Sequence, residues 1–303
     1  MPQTRERLRL AYGGVLAPAK VNLALHVTGR RPNGYHDLDS LVVFAADGDG
    51  LMVEPAGEDR FETSGPFAAH LGGTGDNLVL KALSAAREVA AASGLEVGPL
   101  AITLDKRLPV ASGIGGGSAD AAALLGLVAE AAPELRSALR REALKLGADV
   151  PMCLDGCAAR VTGIGEIGEP LTRLPACGLL LVNPGVAVAT PDVFRALQRT
   201  DNPLLPPLPP QGFASADALA GWLRTTRNDL EVPARGLAPA IAEVQTAIDR
   251  TGALVARMSG SGATVYGLYS TPDDARSAAA EIQAGRDDWW ILPTHMRPQE
   301  TAA

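Results

Sequence analysis

The sequence predicts an α+β protein with two domains. Its 303 residues are enough for one large domain or two medium ones, each with its own hydrophobic core. Strand-like and helix-like segments are mixed along the chain, and the pattern changes beyond about residue 165. We therefore expect the join near residues 155–170, with one domain over 1–163 and the other over 164–303.

Composition and charge restrict the classes of partner. Apolar residues make up 47% of the chain and charged residues 20%, as in an ordinary globular protein. The net charge of −7 argues against a nucleic-acid polymer, because such a partner requires a basic surface that displaces counterions. A single nucleotide stays possible, since a local cluster of backbone N–H groups can hold its phosphates.

Cysteine spacing and the lack of long apolar runs bear on the compartment. Cys153, Cys157 and Cys177 form no C-x-x-C pair, which favours a reducing compartment and argues against a structural zinc site. Met1–Leu10 contains no apolar stretch typical of a secretory signal, and no run of about 18 uncharged apolar residues occurs. We therefore expect a cytoplasmic protein without a membrane partner, and the sequence leaves its oligomeric state open.

In the first half of the chain, apolar patterning predicts two strands and then helices. Residues 15–27 form a predicted strand with a functional interruption at a proline and several polar residues, residues 30–34 a turn, and residues 41–45 a second strand. Asp76 and Asn77 are expected to cap a helix. The remaining elements are a strand over 100–104 and helices over 119–131 and 134–146, the second of which ends at Gly147.

The second half is predicted to hold short elements around one tight turn. That turn is Ser259–Gly262, between two paired strands over 254–258 and 263–269. The other predicted elements are a buried strand over 179–182, a proline-rich loop over 203–210, helices over 237–250 and 273–282, and a strand over 289–292.

The strongest functional signal is a glycine-rich segment that opens into a helix. Glycines let the backbone approach an anion and adopt positive φ, and the free N–H groups and dipole at a helix start favour negative charge. Ser118 adds a hydroxyl for a phosphate or a metal-bound phosphate oxygen. The alternative is a flexible surface loop with Ser118 as an ordinary N-cap. The candidate phosphate-binding residues are Pro109, Val110, Ala111, Ser112, Gly113, Ile114, Gly115, Gly116, Gly117, Ser118 and Ala119.

Two other phosphate-binding patterns do not fit. None of the chain's lysines follows a glycine, so the Walker pattern G-x-x-x-x-G-K-[ST] is absent. The dinucleotide pattern G-x-G-x-x-G fails at its third glycine, where Ser118 stands, and the segment lies a third of the way along the chain. The sequence therefore disfavours a dehydrogenase.

Several segments between about residue 15 and the last strand carry a resemblance to known proteins: residues 17–23, 29–38, 109–122, 146–151, 227–231 and 258–263. They resemble the GHMP kinase superfamily and, within it, the 4-diphosphocytidyl-2-C-methyl-D-erythritol kinase family. The glycine-rich segment is shared by the whole superfamily, whereas Arg31–His36 is the discriminating stretch. The chain departs from the family at Ala119, commonly a second serine, and at Asn33, more usually an aspartate.

The resemblance implies a two-domain GHMP kinase fold, with an N-terminal ribosomal-protein-S5-domain-2-like domain and a C-terminal ferredoxin-like α/β domain. It also implies ATP-dependent phosphorylation of the 2-hydroxyl of a cytidine diphosphate-linked polyol in isoprenoid precursor synthesis. The glycine-rich segment would hold the ATP phosphates. Mg²⁺ would be bound through ATP, with Ser118 as a further candidate ligand. The expected partners, ATP and the cytidine diphosphate-linked polyol, are both small molecules.

The resemblance assigns catalysis to Asp149 and Lys20. Asp149 would accept the proton of the substrate hydroxyl, and Lys20 beside it would keep Asp149 ionised and stabilise charge on the transferring oxygens. Without the resemblance, the ordinary interpretation of Asp149 is a turn cap. The ordinary interpretation of Lys20 is a side chain that extends its ammonium group to the surface.

The resemblance assigns binding of the acceptor to Asn22, Tyr35, His36, Thr190 and Phe194. Tyr35 and His36 would bind the cytosine ring by stacking and hydrogen bonds, with Phe194 on the other face of the ring. A core position for Phe194, an exposed loop for Tyr35 and His36, and backbone hydrogen bonding by Asn22 stay open as alternatives.

Other polar residues and two rival functions stay open. Lys106 and Arg107 are expected either to approach phosphates or to form a solvated pair, and Asn228 with Asp229 to cap a helix. Ser259–Gly262 is expected to line the cleft from the second domain. The rival functions are another GHMP kinase, acting on homoserine or a sugar, and a nucleotide-binding regulatory protein that kept the fold and lost the chemistry.

Overall fold

Strands and helices follow one another in mixed order in the computed structural model, which describes residues 6–71 and 77–297. The strands are β1 (Glu6–Arg7), β2 (Gly13–Arg30), β3 (His36–Pro55), β4 (Arg60–Ser64), β5 (Leu95–Glu96), β6 (Leu100–Asp105), β7 (Ala159–Gly163), β8 (Ile167–Pro170), β9 (Gly178–Asn183), β10 (Val255–Met258), β11 (Val265–Tyr269) and β12 (Trp290–His295). The helices are α1 (Leu78–Ala92), α2 (Gly116–Ala131), α3 (Arg136–Leu146), α4 (Val150–Asp155), α5 (Thr190–Arg195), α6 (Ala216–Leu223), α7 (Glu231–Leu237), α8 (Ala240–Arg250) and α9 (Pro272–Gln283). Within these ranges no helix has the length and apolar character needed to cross a membrane.

Two compact units divide the described residues, and each is discontinuous in sequence. Unit 1 takes the described residues of 1–18, 48–110 and 116–156, and unit 2 takes those of 19–47, 111–115 and 157–303. Strands β2 and β3 each contribute residues to both units. The division into 1–163 and 164–303 stays a prediction.

Among its described residues, unit 1 combines part of a larger sheet with the short pair β1-β5 and four α-helices. The second half of β3 pairs antiparallel with β6, and β4 joins β6 in parallel. Alternate residues of β6 are buried, namely Leu100, Ile102 and Leu104, as expected of a strand with one face on a core. Helix α2 packs against α1 and α4. Most of its alanines and leucines are buried, because it has neighbours on more than one side.

A buried ion cluster joins three elements of unit 1. The Lys106 ammonium nitrogen lies 2.5 Å from Asp49 Oδ2 and 2.7 Å from Asp120 Oδ2, and all three side chains are buried. Asp49 Oδ1 accepts the backbone N–H groups of Arg107 and Leu108 at 2.7 and 2.8 Å. The interpretation of Lys106 as a solvated residue is therefore wrong, whereas the side chain of Arg107 is exposed.

Two carboxyl groups share one ammonium group in this cluster, and the pKa values of Asp120 and Lys106 respond to that arrangement. Burial raises the pKa of Asp120 to about 7, although the attraction of Lys106 opposes the shift. Burial also opposes a charge on Lys106, but the attraction of Asp120 and Asp49 outweighs it and raises the pKa of Lys106. The lysine therefore stays charged at neutral pH, while Asp120 titrates there.

Unit 2 is built on a four-stranded antiparallel sheet in the order β10-β11-β9-β12. Every residue of β9 is buried, in keeping with its central place and its apolar sequence. Helices α8 and α9 pack on this sheet, and α8 contributes Ile241, Val244 and Ile248 to the core. The first half of β3 pairs with β7 through residues 38–42 and 159–163.

Strand β2 has no interruption, so that part of the prediction is wrong. The strand runs through Pro18, and its neighbour β3 lies so close that a Cβ atom on Gly48 would collide with the Ala17 carbonyl oxygen. Because Gly48 has no side chain, the two strands stay together at a proline that donates no hydrogen bond.

The other predicted boundaries differ by smaller amounts. The predicted second strand is the middle of β3, and the helix predicted over 237–250 begins at Ala240, after the separate α7. Asn77 caps α1 by accepting the N–H group of Val79 at 2.8 Å, whereas Asp76 lies outside the described residues. The local capping signal was therefore sufficient to locate this helix start.

We expect the substitution Gly178→Ala to destabilise unit 2. A Cβ atom at this position of β9 would collide with the Thr271 carbonyl oxygen and lie 3.0 Å from the Ala275 side chain. The expected loss is roughly 1–3 kcal/mol of unfolding free energy. The control Gly221→Ala, in α6 with no heavy atom within 4 Å of the new methyl group, should instead gain up to about 1 kcal/mol. Urea denaturation followed by circular dichroism measures both, and equal shifts would contradict the packing argument.

A second prediction concerns the pH dependence of stability. Because the pKa of Asp120 is about 7 in the folded chain and about 4 in an unfolded one, the folded state holds a proton that the unfolded state has released. This contribution is complete below about pH 4 and is lost as pH rises through about 7, at roughly 1.4 kcal/mol per pH unit. Asp120→Asn should remove that slope from urea midpoints measured over a pH series. An identical slope in both proteins would refute the assigned titration.

Candidate active site

Part of the glycine-rich segment, Ala111–Gly115, belongs to unit 2 and has an unusual backbone. Gly113 and Gly115 have φ values of 76° and 66°, and Ala111 has a φ of 51°. A positive φ is open to glycine at little cost but is strained for alanine. The segment is therefore held in a defined conformation by its neighbours.

The predicted turn Ser259–Gly262 is the neighbour that holds it. Ser259 Oγ donates a hydrogen bond to the Gly113 carbonyl oxygen at 3.1 Å, and the Thr264 N–H group donates to the Ser112 carbonyl oxygen at 3.1 Å. A Cβ atom on Gly113 would lie 2.6 Å from the Ser259 carbonyl oxygen, and one on Gly260 would lie 2.7 Å from the Gly113 carbonyl oxygen. Both glycines are required because two backbones touch directly at this point.

Asn228 holds the turn through its side-chain amide, a role that the sequence did not predict. Its Nδ2 donates to the carbonyl oxygens of Met258 and Gly260, both at 2.8 Å, and its Oδ1 accepts the Leu230 N–H group at 3.0 Å. The expected helix-capping role is wrong, since the described first turn of α7 has no side-chain cap. The sequence offered one signal for this role. Asn228 lies in a segment, residues 227–231, that carries the family resemblance, and its side-chain amide can both donate and accept hydrogen bonds.

Asp229, the next residue in the sequence, forms different hydrogen bonds within unit 2. Its Oδ2 accepts the Val27 N–H group at 2.8 Å, and its Oδ1 accepts the Arg227 Nε–H group at 2.6 Å. This ties the segment after α6 to strand β2. The residue is therefore a tertiary link rather than a helix cap.

Lys20 lies against the last glycine of the unit 2 segment. Its backbone N–H group donates to the Ile114 carbonyl oxygen at 2.9 Å, and its Cβ atom would be 3.1 Å from a Cβ atom on Gly115. Only 5% of the residue is exposed. The residue as a whole is therefore buried, which argues against an ammonium group that extends to the surface.

Asn22 is fixed two residues further along β2. Its N–H group donates to Ser259 Oγ at 3.0 Å, and its Nδ2 donates to Ser40 Oγ at 2.7 Å. Its Oδ1 is buried and has no hydrogen-bond partner among the described residues. A buried acceptor without a donor is unfavourable by itself, so this oxygen is suited to receive a donor from a bound molecule.

The remaining glycine-rich residues belong to unit 1, where they begin α2. Gly117 is exposed and Ser118 is half-buried, so the first turn of the helix can be reached from solvent. Ser118 is the third residue of α2 and not its N-cap, which excludes that interpretation. Ala119 is buried, so the position that commonly carries a second serine contributes packing in this chain. Before the segment, Pro109 is buried and Val110 is exposed.

Asp149 lies between the end of α3 and the start of α4. The chain does not leave the helical region at Val150 as expected, because Pro151 is accommodated in the first turn of α4, where its missing N–H group is not needed. In that described turn, the Asp149 side chain accepts no capping hydrogen bond. Asp149 therefore does not cap α4 through its side chain. Asp149 belongs to unit 1 and Lys20 to unit 2, and the pairing of the two stays a prediction.

The predicted ring-binding loop is a tight turn in unit 2. The Arg31 N–H group donates to the Tyr35 carbonyl oxygen at 2.7 Å, and the Gly34 N–H group donates back to the Arg31 carbonyl oxygen at 3.0 Å. Asn33 Oδ1 accepts the Tyr35 N–H group at 3.2 Å. The turn presents Tyr35 to solvent with 55% of the residue exposed. Asn33 can therefore make the local bond expected of the more usual aspartate.

His36 and Phe194 stack directly on each other. Their ring centroids are 4.8 Å apart and the ring planes differ by 22°. Phe194 also packs against the core of unit 2, so its two interpretations, core residue and ring-binding residue, are compatible. Burial, with a further contribution from Arg30, lowers the pKa of His36 and keeps its imidazole neutral. Nearby in sequence, Thr190 at the start of α5 shares a hydrogen bond of 2.7 Å with Ser261 Oγ.

Family models match both parts of the chain. The GHMP kinases N terminal domain matches residues 77–157, and the GHMP kinases C terminal model matches residues 213–287. A solved homoserine kinase from Cytophaga hutchinsonii, 19% identical, has a TM-score of 0.64 over 95% of each chain and shows likeness of fold alone. The predicted GHMP kinase fold is confirmed.

Curated relatives are closer. A 4-diphosphocytidyl-2-C-methyl-D-erythritol kinase from Cereibacter sphaeroides is 52% identical over 286 residues, 92% of this chain and 98% of the relative. One of the same name from Roseobacter denitrificans is 48% identical over 294 residues, 95% of each. The crystal structure of a 4-(cytidine 5'-diphospho)-2C-methyl-D-erythritol kinase is 37% identical, with a TM-score of 0.73 over 93% of this chain and 98% of that one. The chain therefore belongs to the 4-diphosphocytidyl-2-C-methyl-D-erythritol kinase family of GHMP kinases.

Proposed function

We propose that this chain transfers the γ-phosphoryl group of ATP to the 2-hydroxyl of 4-diphosphocytidyl-2-C-methyl-D-erythritol, a step in isoprenoid precursor synthesis. Relatives of that name, about half identical over almost the whole chain, support the substrate. The structural observation that carries the proposal is the buried Lys20 packed on Gly115, at the end of a glycine-rich segment that runs into a helix. Neither a homoserine kinase nor a silent regulatory protein is favoured by relatives at this identity.

The start of α2 is suited to hold the ATP phosphates. The first four N–H groups of a helix have no partner within it, and its dipole favours an anion. Gly117 presents no side chain there, and the Ser118 hydroxyl lies in the same accessible turn. An oxygen donor of this kind fits Mg²⁺, which would be held by the phosphate oxygens and Ser118. When bound, the ion would neutralise charge on the phosphates.

Asp149 is the proposed base and Lys20 the proposed charge stabiliser. The Asp149 carboxylate would accept the hydroxyl proton while the hydroxyl oxygen bonds to the γ-phosphorus and the bond to ADP breaks. The Lys20 ammonium group would offset negative charge on the transferring oxygens. The burial of Lys20 supports this role, because an ammonium group in such a position requires nearby negative charge. Most of the rate enhancement would come from positioning.

The acceptor would be recognised by unit 2. Tyr35 offers an exposed ring on a hydrogen-bonded turn, and the stacked pair of His36 and Phe194 offers aromatic faces, which suits a pyrimidine base. A neutral imidazole has one donor and one acceptor, as hydrogen bonding to the edge of cytosine requires. The unpaired Oδ1 of Asn22 could accept a hydrogen bond from a substrate hydroxyl. Thr190 is hydrogen-bonded to Ser261, within the Ser259–Gly262 turn.

The substitution Asp149→Asn should reduce kcat by at least about 100-fold, because the amide cannot accept the hydroxyl proton. KM for both substrates should change little, since the side-chain shape is kept. A coupled assay of ADP release measures this with ATP, Mg²⁺ and the cytidyl substrate, beside homoserine, mevalonate and galactose. Asp155→Asn is the matched control, because Asp155 in α4 pairs with Arg140. Full activity of Asp149→Asn would exclude the base, and turnover only of another alcohol would exclude the substrate.

The substitution Tyr35→Ala should raise KM for the cytidyl substrate by about tenfold or more, since a base–aromatic stack contributes roughly 1–3 kcal/mol. KM for ATP should stay within twofold. Tyr12→Ala, which removes another exposed tyrosine, is the control and should change neither constant. An equal rise in both KM values would argue against a role confined to the ring.

A further inference from the structure

The cluster of Lys106, Asp49 and Asp120 lies where the chain leaves unit 1 and where it returns. The chain leaves unit 1 after Val110 and re-enters it at Gly116, the first residue of α2. Lys106 precedes the exit, and Asp120 follows the return by one helical turn. The cluster therefore connects the two ends of the glycine-rich segment within one unit.

On the exit side, Asp49 fixes the backbone. Its Oδ1 accepts the N–H groups of both Arg107 and Leu108, so the direction of the chain after β6 is set by one buried carboxylate. Its Oδ2 accepts from the Lys106 ammonium group at 2.5 Å. The lysine is thereby held at both its backbone and its side chain, since the Lys106 N–H group also donates to the Ser64 carbonyl oxygen at 2.7 Å.

On the return side, the same ammonium group touches the helix start. It lies 2.7 Å from Asp120 Oδ2 and would be 2.9 Å from a Cβ atom on Gly116. No side chain larger than hydrogen fits at Gly116 unless the lysine moves. The position of the ammonium group and the position of the first helical residue therefore determine each other.

The charges of the cluster suit a helix start that receives an anion. A lone ammonium group beside an N-terminus would oppose the helix dipole, but this one lies against the carboxyl groups of Asp49 and Asp120. The Lys106 charge is consequently paired within unit 1. The free N–H groups at the start of α2 can therefore still attract an incoming anion. Asp120 Oδ1 is buried and has no hydrogen-bond partner among the described residues, so the contacts of this carboxyl group to the cluster are made through Oδ2.

We propose that Lys106 is a positioning residue for phosphate binding, because it ties the strand end at Leu108 to the helix start at Gly116 through Asp49 and Asp120. This inference rests on the proposed function, in which α2 receives the phosphates of ATP. It assigns Lys106 an effect on the phosphate part of the nucleotide and none on the base. The lysine acts through Gly116 and does not need to contact ATP.

The test compares the binding of ADP and adenosine, both with Mg²⁺, by isothermal titration calorimetry. Lys106→Met keeps the length of the side chain and removes its charge. Lys106→Met/Asp120→Asn also removes the repulsion that the first change leaves, while Asp49 keeps its two backbone donors. Lys145→Met is the control, since it breaks the exposed pair of Lys145 with Glu142. Thermal unfolding of each protein identifies the temperature range in which it is folded.

We expect both Lys106 variants to bind ADP about five- to tenfold more weakly than the wild type, as an anion contact at a helix start allows. Their affinity for adenosine should stay within twofold, and the control should match the wild type for both ligands. Unchanged affinity for ADP in a folded variant, or equal losses for both ligands, would overturn the proposal. A wild type that binds ADP no better than adenosine would overturn the proposed function itself.

Discussion

The candidate site in unit 2 depends on one contact between two backbones. The glycine-rich segment rests on the Ser259–Gly262 turn so closely that neither Gly113 nor Gly260 has room for a side chain. Hydrogen bonds from Ser259 and Thr264 fix the alignment, and Asn228 holds the turn through its side-chain amide. Two proposed functional residues are hydrogen-bonded to the two sides of this contact. The Lys20 N–H group donates to Ile114, within the glycine-rich segment, and the Asn22 N–H group donates to Ser259, within the turn. The turn therefore determines the positions of the other residues in this part of the site.

Buried polar groups complete the arrangement in a consistent way. In unit 2 they are mostly neutral donors and acceptors, such as Asn228, which holds the Ser259–Gly262 turn, and Ser40, which links β3 to β2. In unit 1 the Lys106 cluster uses charged side chains, which join β3 and the end of β6 to α2. Neutral groups define the fine shape of a turn at small energetic risk, whereas a charged cluster tolerates little change once it is buried.

The sequence predicted features whose causes are local and missed those whose causes are distant. The cap at Asn77, the helix after the glycines and the turn at Ser259–Gly262 each depend on neighbouring residues, and the structure has all three. Lys106 looked solvated because its partner Asp49 is 57 positions away and only the fold reveals it. The continuity of β2 through Pro18 likewise depends on Gly48 in the next strand. The proposed roles of Asp149 and Tyr35 came from resemblance, since no local rule distinguishes them from ordinary turn residues.

The discontinuity of unit 2 has a consequence for synthesis on the ribosome. The N–H group of Val27 is satisfied by Asp229, which lies 202 positions later in the chain. At a synthesis rate of about 5–20 residues per second, Val27 is made on the order of 10–40 s before Asp229. All the residues of unit 1 are made by residue 156, so it can fold during that interval. Leu25 and Val27 meanwhile lack their later core neighbours, such as Leu180, Ile241 and Val265, so the nascent chain is exposed to misassociation at this stage.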